Sequence, residues 1–422
     1  MTSATEWLGG ATLVGALVTA CKSAPAPCEG PSCTAGSGST GTAGAPPASC
    51  PPNGVEYGPW ALAFDEASAI VRWDGCGPGP TEIVLEPEGG GAAVTVAGVQ
   101  RASDVQTSYE ILDVPPDRAG VRYLSEVAVR GLAAGSCYRY QLAADASRAG
   151  RICTARPPGA SFTVLAVGDT NPSIGDTAGV LAHTLAAAPD FVVHLGDIQY
   201  YASVVETWAS WFPKMQPLLA AGAFMPCIGN HEYEQRSEFA DYYERLFGNN
   251  GTGTVDHYRY ASGGVWFFSL NTELAFGSGS PQGAWLEKEL AAASASAGHR
   301  LSIVYFHRPM ITLAGYAQNK SERLYYAPLF QQHRVRLVLQ GHVHGYERFV
   351  ENAITYVVSG GGGAALHDLE ANKRERPDEA SVRQAASKTY HALLLEVGDK
   401  ELRARAVSHK GAELDAFSIP LD

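Results

Sequence analysis

Five stretches of this chain place metal-competent side chains directly after an apolar run. They are Gly168-Asp169, Gly196-Asp197 followed by Tyr200, Gly229-Asn230-His231-Glu232, His307, and Gly341-His342-Val343-His344. Carboxylates, imidazoles, an amide and a phenol are donors for hard and borderline metal ions. His342 and His344 stand two apart after "VRLVLQ", and in an extended chain side chains at i and i+2 share a face. Singly, each stretch has an ordinary explanation. Gly-Asp after a strand is a common turn, Asn230 suits a turn, and Tyr200 suits a packed rim. Five together are harder to explain as turns, and the glycines allow the backbone close to a shared centre. The chemistry this points to is metal ligation.

Rigid elements must bring these residues together. "SFTVLAVGD", "FVVHLGD", "GAFMPCIGN", "VWFFSLN", "LSIVYFH" and "VRLVLQGH" are continuous apolar runs, as expected of strands buried on both faces. Helical patterns separate them: "AGVLAHTLAAAPD", "SEFADYYERLF" and "GAWLEKELAAAS". The alternation predicts an α/β fold with its polar residues where strands end. Earlier, "AIVRWDG", "TEIVLEP", "AAVTVAG", "YLSEVAVRGL" and "CYRYQLAA" follow one another at short intervals with no long helix. That predicts a small β-sandwich over 55–157.

The motifs "GDT", "GDIQY", "GNHE", "VYFH" and "GHVHGYER" resemble the purple acid phosphatase branch of the calcineurin-like metallophosphoesterases. The resemblance runs from about Ser161 to the C-terminus. It implies an αββα core over 161–422, preceded by a small all-β sandwich similar to a fibronectin type III domain. It also implies a binuclear centre that hydrolyses phosphate monoesters through in-line attack of a hydroxide held by the metals. In that family's pattern Asp169, Tyr200 and His344 hold the first ion, and Asn230, His307 and His342 the second, with Asp197 shared. Asn171 stands where other calcineurin-like enzymes carry a histidine, and Tyr200 would fill that gap. A phenolate favours a hard, highly charged ion, which implies iron(III) at the first position and zinc, manganese or iron(II) at the second.

The same resemblance makes His231 an outer histidine that orients substrate or protonates the leaving group. Many members carry another about ten residues beyond the position of His307. Here "MITLAGYAQNK" has none, and Tyr316 is the candidate to replace it. His194 reads as packed within its strand, and His183, His257, His299, His333, His367, His391 and His409 lack ligand-like neighbours. "SGGGGA" has no Lys-Ser/Thr after it, which argues against a nucleotide loop and for a close-packed turn beside the site.

The formal charge of −12, with no long basic run, argues against a nucleic-acid-binding surface. The expected partner is a small phosphoester. Residues 7–20 are apolar and small, too short to span a membrane comfortably but suited to a signal segment over 1–21. That run ends in "VTAC", which resembles a bacterial lipobox with Cys21 as the lipidated residue, although no Lys or Arg precedes it. Residues 22–54 are rich in Ala, Gly, Ser and Pro and read as a flexible tether. The expectation is an exported protein, tethered to the cell envelope through Cys21 or secreted. Eight cysteines fit an oxidising compartment. Cys227 reads as a buried free thiol, and Cys137 with Cys153, flanking a hairpin-like segment, as the first candidate bridge. Two rival readings remain at this stage: a phosphodiesterase of the same superfamily, and a surface lipoprotein that only displays its sandwich for binding.

Overall fold

The computed structural model describes residues 50–105, 120–200, 208–234, 240–248 and 251–421. Cys21, the tether up to Ser49, Cys28 and Cys33 lie outside them. Residues Cys50–Asp422 form one compact unit. Among the described residues, no helix is long and apolar enough to cross a membrane.

Two large sheets face each other. In the first, Phe162–Val167, Phe191–His194 and Ala223–Pro226 run parallel, and His391–Val397 pairs antiparallel to the Phe162 strand. In the second, Val265–Ser269, Leu301–Phe306, Val335–Gln340 and Ile354–Ser359 run parallel. Val164, Ala166, Phe191, Val193 and Met225 of the first meet Phe267, Ile303, Tyr305, Leu337 and Val357 of the second in one buried core. Burial on both faces explains why these strands are predominantly apolar. The helices Thr177–Thr184 and Trp208–Leu219 cover the outside of the first sheet. Pro281–Ser294 and Lys320–Gln332 cover the second. The result is the expected αββα arrangement.

Local chemistry sets the helix starts. Asp176 accepts from the Gly179 N–H at 2.9 Å, and Ser280 accepts from the Gly283 N–H at 2.9 Å, each satisfying a donor of a first turn. In "SEFADYYERLF" the described part is a π-turn, Ala240–Glu244, followed by a single helical turn, Arg245–Phe247.

The N-terminal strands form a sandwich whose core includes Val71, Trp73, Ile83, Leu85, Val127 and Tyr140. It does not stand apart. Val55–Leu62 pairs parallel with Ala223–Pro226 at Ala61 and Ala223, so one sandwich sheet continues into the first large sheet. Trp60 Nε1 donates to the Leu246 carbonyl at 3.2 Å. Arg72 Nη1 donates to the carbonyls of Leu246 at 3.2 Å and Gly248 at 2.8 Å, closing the end of the single-turn helix. Cys137 and Cys153 face each other across a hairpin and are bridged, as expected, and Cys50 is bridged to Cys76. Cys227 is buried and free.

Candidate metal centre

All five stretches end at one edge between the two sheets. Asp169 and Asp197 follow parallel neighbours in the first sheet, and His307 and His342 follow parallel neighbours in the second. Asp169, Asp197 and His342 adopt positive φ values of 60°, 52° and 69°. This left-handed turn is uncommon outside glycine, though Asp and His tolerate it better than most, and such strain clusters at functional sites.

Two groups of side chains meet there. Asp197, His307 and His342 offer ligand atoms that lie within 4.8 Å of one another. His307 Nε2 is 3.2 Å from Asp197 Oδ2, 3.1 Å from Asn230 Oδ1 and 3.2 Å from His342 Nδ1. Asp169, Tyr200 and His344 form the second group. The Tyr200 hydroxyl is 3.1 Å from both Asp169 Oδ1 and His344 Nε2, and His344 Nε2 is 3.3 Å from Asp169 Oδ1. Thus all seven side chains expected as ligands fall into one cluster.

The rings are turned by backbone carbonyls. His307 Nδ1 faces the Leu195 carbonyl at 2.9 Å, and His344 Nδ1 faces that of Ala365 at 2.8 Å. A carbonyl only accepts, so each Nδ1 donates and each Nε2 is left for the centre, the arrangement usual behind a metal-bound histidine.

The electrostatics also suit a cation. Burial works against charging His307, yet the Asp197 carboxylate raises its imidazole to about 10. Against the same burial, hydrogen bonding from His344 and the charge of His307 keep the Asp169 carboxyl below its ordinary range, and His307 and His231 do so for Asp197. Burial, then Asp169 and Asp197, push the Tyr200 phenol well above its usual value.

Residues 162–346 match the calcineurin-like phosphoesterase family. They form a calcineurin-like phosphoesterase domain. Over 195 residues the chain is 29% identical to probable inactive purple acid phosphatase 9 of Arabidopsis thaliana, covering 38% of this chain and 30% of that protein. Over 299 residues it is 27% identical to phosphoenolpyruvate phosphatase of Allium cepa, covering 63% of this chain and 60% of that protein. The chain therefore spans less than two thirds of the length of these relatives. Purple acid phosphatase PPD1 from yellow lupin (Lupinus luteus) shares the fold, with a TM-score of 0.69 at 18% identity over 86% of this chain and 74% of that one. The family implies a binuclear metal centre, and the two groups of donors fit one.

Around the donor cluster of the phosphoesterase domain, the His231 ring packs on Tyr200 with centroids 4.3 Å apart and a 46° tilt, and its Nε2 lies 3.8 Å from Asp197 Oδ2. Its side chain is 17% exposed where that of His307 is 0%, so it faces outward over the cluster. His194 is buried in its strand, with Nε2 3.1 Å from the Thr170 hydroxyl, and that hydroxyl donates to the Ile198 carbonyl at 2.6 Å. The glycine turn lies beside the site as expected: a Cβ on Gly360 would sit 2.6 Å from Asp169 Oδ2. At Gly229 a Cβ would fall on Asp197 Oδ1.

The roles of two residues were not apparent from the sequence. The Glu232 carboxylate accepts from the N–H groups of Gly229 at 2.6 Å, Ile198 at 2.8 Å and Asp197 at 3.0 Å, tying two ligand loops together. Its place in "GNHE" was the only available signal. His367 corrects the reading that it lacks ligand-like neighbours. It stacks on His344 at a centroid distance of 3.8 Å and bonds to Tyr316. It sits 23 residues beyond His344, and no local spacing could have revealed that contact.

Proposed function

We propose that this chain is a binuclear metal-dependent phosphatase that hydrolyses phosphate monoesters. The observation that carries the reading is the convergence of two donor groups, Asp197 with His307 and His342 within 4.8 Å, and Asp169 with Tyr200 and His344. Asp169, Tyr200 and His344 would hold one ion, and Asn230, His307 and His342 the other, with Asp197 shared between them. A buried phenol beside two carboxylates favours a hard, highly charged ion, so iron(III) is assigned to the first position and zinc, manganese or iron(II) to the second. When bound, the pair supplies Lewis-acid charge to the phosphoryl group.

The chain's own residues supply the rest. His231, outward-facing over Asp197, can hold a proton towards the leaving oxygen. The fixed His307 and His344 rings and the Glu232 brace hold the donors in place before substrate arrives. The two disulfides fit an oxidising compartment, and we assign the protein to export, with Cys21 as its lipid anchor.

A panel of phosphate monoesters and diesters, run on metal-analysed protein, tests the reading. The expected result is two metal ions per chain and a monoester preference that a chelator abolishes. Metal-loaded protein that turns over neither class, or that prefers diesters, would overturn it.

A further inference from the structure

We propose that Tyr316 contacts the substrate as a hydrogen-bond donor to a phosphoryl oxygen, and that His367 is the positioning residue that aims it. This rests on the phosphatase reading above. The His344 backbone N–H donates to His367 Nδ1 at 3.1 Å. That nitrogen must keep its lone pair, so a neutral His367 ring carries its hydrogen on Nε2. His367 Nε2 lies 3.0 Å from the Tyr316 hydroxyl, which therefore accepts. The phenol's own hydrogen is left uncommitted, because His367 is the only partner of that hydroxyl among the described residues.

Both rings are fixed against the H-x-H pair. His367 stacks on His344 at 3.8 Å with a 21° tilt. Tyr316 meets the His342 ring edge-on at 5.0 Å and 74° and stacks on His367 at 4.6 Å, and it packs against an apolar patch of Ala314, Val343, Val358 and Leu369. One free phenolic hydrogen is thus held on a ring packed against His342, a residue assigned to one of the ions, and fixed by His367, which packs on His344. The non-bridging oxygens of a phosphate monoester carry negative charge and accept such a bond strongly.

The test uses the metal-loaded full chain. A hydrogen bond to a charged acceptor is worth enough that Tyr316→Phe should lower kcat/KM and the affinity for inorganic phosphate by about 10–100-fold. Metal content should stay at the wild-type level. His367→Asn keeps an acceptor near the Nδ1 position for the His344 N–H and removes Nε2, so it should lose part of the same factor. The double variant should be no worse than Tyr316→Phe alone, because His367 acts through Tyr316. Independently of activity, ¹⁵N-histidine spectra should show the His367 ring protonated on Nε2. Wild-type phosphate affinity and turnover in Tyr316→Phe, additive losses in the double variant, or a ring protonated on Nδ1 would each overturn the proposal. A wild type that neither binds phosphate nor cleaves phosphoesters would instead remove the phosphatase reading, and this proposal with it.

Discussion

Glu232→Gln is the substitution most informative about how the ligand loops are held. The carboxylate takes the Ile198 N–H on Oε1 and the Gly229 and Asp197 N–H groups on Oε2. A glutamine of the same shape has one acceptor oxygen. Placed towards Gly229 and Asp197, it turns its own NH₂ against the Ile198 N–H. The variant thus loses a charge-assisted bond worth about 1.5–3 kcal/mol and leaves a buried donor unsatisfied, at about 1–3 kcal/mol. Part of this is offset. Burial, then the Asp197 charge, already push the Glu232 carboxyl up to about 7, and a neutral amide is easier to bury. The net expectation is a loss of about 2 kcal/mol, or a Tm lower by about 2–3 °C when the unfolding entropy is scaled to the compact unit Cys50–Asp422. Metal affinity should fall by about 10–100-fold, as it does when groups that orient ligands are changed. Thermal unfolding and zinc or manganese titration of metal-depleted protein measure both. Wild-type Tm and metal affinity in Glu232→Gln would refute the role of this carboxylate as the brace between the loops.

Asp197→Ala should lose both metals or nearly all turnover, since it removes the shared carboxylate; near-normal metal content and activity would end the assignment of this site. The iron-loaded oxidised protein should absorb in the visible through Tyr200, and Tyr200→Phe should bleach it with the fold intact. An iron-loaded wild type without such a band would take Tyr200 out of the ligand set. His231→Ala should slow esters with alkoxide-like leaving groups by about 10²–10⁴-fold and nitrophenyl phosphate much less, with metal content unchanged; equal losses would mean that His231 does not act as the proton donor. Mass spectrometry of the exported N-terminus should find a lipid-modified Cys21, and an intact Met1 or an unmodified cleavage product would refute that.

The convergence of the candidate donors was legible in the sequence because each lies within a few residues of a strand buried on both faces. Apolar runs such as "FTVLAV" and "VRLVLQ" mark their own ends, and the chemistry stands at those ends. The Cys137–Cys153 bridge was legible for a related reason, since a hairpin sets the pairing by local register. What was not legible depends on contacts across the fold. Nothing in "EIVLEP" or "AIVRWDG" indicates that the sandwich shares a sheet with the phosphoesterase domain. That follows from Ala61 pairing with Ala223 and from Arg72 reaching the carbonyls of Leu246 and Gly248. His367 is similar: its role depends on a loop folding back onto the His344 N–H.

The three strained positions show why the ligand loops can hold their shape before any cation binds. Left-handed backbone at Asp169, Asp197 and His342 costs about 1–3 kcal/mol each and persists only where the surroundings over-determine it. Here each strained residue has its N–H taken by a neighbouring loop. Asp169 donates to the Gly196 carbonyl at 3.1 Å, Asp197 to Glu232 at 3.0 Å, and His342 to the Asp169 carboxylate at 3.0 Å. The strands thus brace one another in a chain, from the second sheet through Asp169 to the first and on to the short helix Asn230–Glu234, which carries Glu232. A cation would add its charge to a geometry already fixed by hydrogen bonds. Breaking the chain at Glu232 should therefore loosen Asp197 first, and the metal affinity should report it.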